Sequence, residues 1–180
     1  MRDVFMTNRK QAFSFIGLAF SAAIVAGCAA EQPSVNSQPA FYRNLDNAHT
    51  ALDVQDAART ISDYRKSQGL AGVVIDPELV ALAQSHAIAQ AKANKVGHNV
   101  GGSFKKRLGK LTTQRPIAVE NVGAGYRSLA QAFSGWRNSK GHNANMLKEG
   151  VTRIGIAKGF NPSSKYKVFW TLILTNEPIS

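Results

Sequence analysis

The chain has a single cysteine, Cys28, and half as many acidic as basic side chains, 11 Asp and Glu against 22 Lys and Arg. One thiol excludes a disulfide within the chain and any metal site built from several thiolates. No serine sits in a Gly-x-Ser-x-Gly elbow, so a hydrolase nucleophile carried on that strained strand-to-helix turn is excluded. No internal repeat or low-complexity tract occurs, which excludes solenoid and array architectures. Acid is missing altogether from residues 99–119, where Lys105, Lys106, Arg107, Lys110 and Arg115 fall instead. Long apolar runs are absent too, except at the N-terminus.

That exception has a recognisable order. Arg2, Arg9 and Lys10 precede "AFSFIGLAFSAAIVAG", residues 12–27, which is the basic-then-apolar pattern of a secretory signal. The run is too short and too rich in small residues for a comfortable membrane span. It closes on "VAGC", Val25 to Cys28, which resembles the bacterial lipoprotein signal. The resemblance implies cleavage after residue 27, lipid on Cys28 and attachment to a membrane. Ala29 in place of Asp implies the outer membrane in a Gram-negative envelope, facing the periplasm or the cell surface. Without residues 1–27 the chain keeps 19 basic and 10 acidic groups, a net +9. Such a surface favours anionic partners. For an exported, lipid-anchored domain these are anionic lipid or an envelope polymer, and nucleic acid is not expected.

Residues 29–50 hold two prolines, many small polar residues and little periodicity, so residues 28–50 are expected to be a flexible tether and residues 51–180 the folded domain. Val54, Ala57, Ala58 and Ile61 follow helical spacing. "IDPELVALAQSHAIAQAKANKVGH" predicts a second helix, with Asp76 as its cap, Pro77 in its first turn and Gly97 as its end. His86 falls on its apolar face and is expected in the core; Gln90 interrupts that face. Residues 103–108 suit a short helix, and "SLAQAFSGWRNS" another, capped by Ser128. Then the period changes. "VTRIGIAKGF" and "YKVFWTLILT", separated by "NPSSK", predict an antiparallel hairpin, and "IAVENVGAG" a further short strand. Helices followed by a sheet predict an α+β fold.

Three polar groups stand at element boundaries: His98, Glu120 and His142. Two imidazoles and a carboxylate suit a divalent ion such as Zn²⁺, and they suit acid–base chemistry equally. Their wide separation in sequence makes no local ligand motif. His142 lies in "NSKGHNANML", read as a loop.

From about Ile61 to Asn176 the chain resembles the CAP superfamily, the SCP domain of cysteine-rich secretory, antigen 5 and pathogenesis-related proteins. The pieces that carry the resemblance come in family order: "ISDYRKSQGLAGVVIDPELVALAQSHAIAQA", "GH" at 97–98, "ENVGAG" at 120–125, "AFSGWRNSKGHNANML" running into "TRIGIAKG", and "VFWTLI". The resemblance implies an α-β-α sandwich with a mainly antiparallel sheet. It also implies that His98, Glu120 and His142 converge in one cleft, as the candidate ligand or metal site. Asn121, Ser139 and Asn145 are expected to support that cleft, Ser139 by turn or hydrogen-bonding duty in its loop. Many members carry a second acid between the first histidine and the E-N motif; this chain has none there. The expected function is a binding module for a lipid, a small apolar ligand or an envelope polymer. The alternative is a metal-dependent or general-base hydrolase using the same cleft.

Overall fold

The computed structural model describes residues 38–109 and 117–178. The signal segment, Cys28 and the first part of the expected tether lie outside the described residues, as do Lys110 and Arg115. The elements in chain order are α1 (Val54–Ser67), β1 (Val74–Ile75), α2 (Pro77–Ala93), α3 (Phe104–Leu108), β2 (Ala118–Ala124), α4 (Leu129–Asn138), α5 (Lys140–Met146), β3 (Arg153–Phe160) and β4 (Val168–Thr175).

The expected helix starts are built as their caps dictate. Asp76 Oδ1 accepts from the amides of Glu78 and Leu79 at 3.0 and 3.2 Å, satisfying donors that the first turn of α2 would leave unpaired. Ser103 and Ser128 cap α3 and α4 in the same way, each accepting at 3.3 Å. α2 ends at Ala93, short of Gly97, because Asn94 takes the left-handed conformation, φ 49°, which asparagine tolerates better than most residues.

Four strands form one mixed sheet in the order β1-β3-β4-β2. β3 pairs antiparallel with β4, and β4 with β2, whereas β1 pairs parallel with β3. The hairpin and the "AVENVGA" strand are where the sequence places them. β1, two residues long, is too brief to carry a period.

Alternation along β3 and β4 divides the core between two faces. Ile154, Ile156, Val168, Trp170, Leu172 and Leu174 pack with α1, α4 and Met146 of α5. Ala157 and Ile173 pack on the other face with Leu79 and Ala83 of α2 and Leu108 of α3. α2 lies close on its face because β3 has no side chain at two positions. A Cβ at Gly155 would lie 2.2 Å from the Leu79 carbonyl carbon, and one at Gly159 would lie 2.2 Å from the Ala87 oxygen.

Two expectations are corrected here. The segment before α1 is no tether as far as residue 50. Leu45 is buried to 1% exposure, with Phe41 packed on the same core. Leu45 N donates to Arg127 O at 2.7 Å. Lys158 Nζ donates to Leu45 O and Asn47 O, each at 2.8 Å. Isolated apolar anchors and backbone bonds hold this strap, and neither leaves a periodic signature. The second correction is "KGHNANM", which is the helix α5 rather than a loop. It buries only Met146, too little apolar surface to show a helical stripe.

Candidate functional site

Glu120 lies on β2, the edge strand beside β4, and its side chain is only 1% exposed. A buried carboxylate is costly unless it is paired and fully hydrogen-bonded. Here both conditions are met. Arg107 of α3 grips it with two nitrogens, Nη1 to Oε2 at 2.9 Å and Nη2 to Oε1 at 3.0 Å. His98 Nδ1 lies 2.8 Å from Oε1, and His86 Nδ1 of α2 lies 3.1 Å from Oε2. An ionised carboxylate only accepts, so His98 Nδ1 carries its proton toward Glu120, while His86 Nδ1 is shared with Thr171 Oγ1 at 3.3 Å. Burial by itself raises the carboxyl, but the hydrogen bonds from His86, Arg107 and His98, with the charge of Arg107, outweigh it and hold Glu120 below the ordinary carboxylate range.

The loop bearing His98 is fixed from two sides. Gln90, buried on α2, donates to Trp170 O and Thr171 Oγ1, and its Oε1 accepts from Gly97 N at 3.1 Å. Arg107 donates from Nη2 to His98 O at 2.8 Å and from Nε to Gly102 O at 3.3 Å. With one edge so anchored, the His98 ring is still 54% exposed. A cavity of about 420 Å³ opens beside it, lined by Lys95, Gly97, His98, Asn99 and Val100.

His142 stands apart from this cluster. It lies on α5, which is tied to β2 by asparagines. Asn121 Nδ2 donates to His142 O at 2.9 Å, and Asn145 Nδ2 donates to Glu120 O at 3.0 Å and to Asn121 Oδ1 at 2.9 Å. Tyr64 Oη donates to Asn143 Oδ1 at 2.8 Å from α1. Burial, and then the charge of His98, push the His142 imidazole below its ordinary value. The structure thus bonds His98 directly to Glu120 and brings His142 near them through its backbone. Ser139 joins α4 to α5 by its main chain. Its amide donates to Trp136 O and its carbonyl accepts from Asn143 N, so its contribution at this turn is made by the main chain, and its hydroxyl makes no cap bond.

A divalent ion does not fit this arrangement. The two Glu120 oxygens already accept three hydrogen bonds, two of them from a guanidinium, and His86 Nδ1 stands 3.1 Å from Oε2 as a fourth contact. Among the described residues no group of three or more His, Cys, Asp or Glu is placed to hold a metal.

The profile of the cysteine-rich secretory protein family, CAP, matches residues 58–174, the span that contains every residue of this cluster. The chain belongs to that family. Among solved structures, a CAP relative is an extracellular SCP-domain protein from Bacillus anthracis, 26% identical, with a TM-score of 0.58 over 68% of this chain and 40% of that one. An outer surface protein from Borrelia burgdorferi is 20% identical, with a TM-score of 0.60 over 69% of this chain and 92% of that one. A cysteine-rich secretory protein from Staphylococcus aureus is 17% identical, with a TM-score of 0.55 over 73% and 40%. The chain spans about two fifths of the Bacillus and Staphylococcus proteins. Among curated proteins none matches it.

Two CAP-domain residues of the cluster escape a reading from sequence. His86 is buried, as its helical face indicates, yet it also faces Glu120. Arg107 belongs to a basic run that reads most simply as solvated surface. Lys105 and Lys106 are indeed exposed, while the Arg107 side chain is only 11% exposed. The signal was the run of residues 99–119 without acid: a buried carboxylate facing that segment can draw its cation from it.

Proposed function

We propose that this CAP domain is a lipid-anchored, extracytoplasmic binding module for a lipid, a small apolar ligand or an envelope polymer, held in the cell envelope through Cys28. The observation that carries the binding reading is the state of Glu120. A carboxylate that already accepts three hydrogen bonds and pairs with a guanidinium is poorly suited to take a proton or to hold a catalytic ion. The imidazole of His98, by contrast, remains open beside a cavity of about 420 Å³, within the size range of ligand sites. The extracellular and outer-surface relatives from Bacillus and Borrelia support an extracytoplasmic location. The hydrolase alternative needs Glu120 as base or ligand and is the weaker reading.

Mass spectrometry of protein purified natively from membranes tests all three parts. The expected result is an N-terminal Cys28 bearing lipid, together with a co-purifying ligand that is lost when His98 is replaced by Trp to crowd the cavity. Cys28→Ser leaves the chain unlipidated. Soluble, unmodified wild-type protein would refute the anchor. Turnover of an ester or amide substrate that disappears in Glu120→Gln would refute the binding reading.

A further inference from the structure

We infer that Arg107 is the resident cation of this cleft, occupying by its guanidinium the place a divalent ion would need, and that it is the residue that keeps the site free of metal. Four observations converge on it. Its fork takes both carboxylate oxygens of Glu120, at 2.9 and 3.0 Å, the planar two-point geometry that arginine offers and lysine does not. The same side chain bonds the carbonyls of His98 and Gly102, so it joins the loop carrying His98 to the edge strand carrying Glu120. Neutralising a buried carboxylate and cross-linking the elements around it are the two structural services of a bound metal. One guanidinium supplies both.

The third observation is packing. The guanidinium carbon lies 5.5 Å from the centre of the Phe104 ring, one turn back on α3, so the group is held on a face as well as at its edges. The fourth is electrostatic. With Arg107 in place the carboxylate charge is cancelled, and no acid in residues 99–119 remains to attract a second cation. A divalent ion entering here meets a fixed positive charge and a carboxylate whose two oxygens are both already engaged by Arg107. Removing Arg107 reverses both conditions: it frees two acceptor positions on Glu120 and restores a negative charge beside His98 and His86. This inference is independent of what the domain binds.

Zinc alone is the probe. It is titrated into the full chain in detergent by calorimetry, with metal content measured after desalting, for the wild type, Arg107→Ala, Arg107→Gln, Glu120→Gln and the double variant Arg107→Ala/Glu120→Gln. The wild type is expected to retain less than about one tenth of an equivalent, and each Arg107 variant about one equivalent, lost again in the double variant. Wild-type uptake of a full equivalent that Glu120→Gln abolishes would overturn the inference. So would folded Arg107 variants that stay as metal-free as the wild type. Should neither variant fold, ring-nitrogen NMR of the wild type decides. Unchanged His98 and His86 signals at saturating zinc support Arg107 as the resident cation, and displaced ones refute it.

Discussion

Glu120 and Asn121 are neighbours in sequence and serve opposite faces of the sheet. Glu120 pairs across the ladder with Ile173, which packs under α2, and Asn121 with Leu172, which packs in the other core. Glu120 accordingly meets His86, His98 and Arg107, whereas Asn121 meets His142 and Asn145. The pleat of one edge strand therefore divides the candidate site into an ion-pair cluster and an amide cluster.

Asn121→Ala removes the amide cluster alone. It deletes the bond to His142 O and leaves Asn145 without one partner, a cost of about 1–3 kcal/mol for buried polar groups. Urea melts should fall by that amount. Amide exchange in α5 should quicken while exchange in α2 stays at the wild-type rate. Equal acceleration in both helices would mean that α5 is held by something other than these asparagines.

Acid should weaken the domain in two stages. The folded His142 and Glu120 both have proton affinities below their ordinary values of 6.5 and 4.5. The unfolded chain therefore binds more protons, and stability falls as pH falls. The contribution of His142 is full above 6.5 and is lost as pH drops through its folded value; that of Glu120 is full above 4.5 and is lost further down. Urea midpoints followed from neutral to acid pH should show both declines, with His142→Gln lessening the upper one. An upper decline of undiminished size in His142→Gln would assign it to another group.

Gly155→Ala tests the approach of α2 to the sheet. The new methyl would lie 2.2 Å from the Leu79 carbonyl carbon, and backbone cannot turn away as a side chain can. Overpacking of this kind costs about 1–3 kcal/mol, or more where backbone must move. Gly141→Ala, with nothing within 4 Å of its Cβ, is the control and should leave the melting temperature within a degree or so, or raise it slightly, as helix propensity dictates.

Leu45→Ala tests the strap before α1. Truncating a leucine buried to 1% exposure costs about 2–5 kcal/mol, whereas the same change in a free tether costs nothing. A fragment beginning at Ala51 should likewise melt below one beginning at Gln38. Identical melting of the two would restore the tether reading for this segment.

Much of the fold is legible in the sequence because its information is local. Asp76 and Pro77 announce α2, and "RIGIAKGF" and "VFWTLILT" announce the hairpin by composition. The site is less legible because its contacts are long-range. His98 and Glu120 are separated by 22 positions yet lie 2.8 Å apart, and only the family resemblance joins them beforehand. Arg107 is one of five basic residues in an acid-free stretch, and only the folded chain distinguishes it from Lys105 and Lys106. α5 is held by Asn121, Asn145, Tyr64 and Arg65 rather than by an apolar stripe, so periodicity is blind to it.

Arg65 completes that hold in an unusual currency. Fully buried, it donates to the carbonyls of Ala71, Met146, Lys148 and Val151 at 2.8–3.2 Å. Every one of those acceptors is main chain. The guanidinium recognises the path of the polypeptide after α1 and at the end of α5 and beyond, and is indifferent to the side chains along it. Lys148 can therefore be exchanged for almost any residue, proline apart, without loosening the helix that presents His142, whereas Arg65 itself has no substitute with the same reach and number of donors.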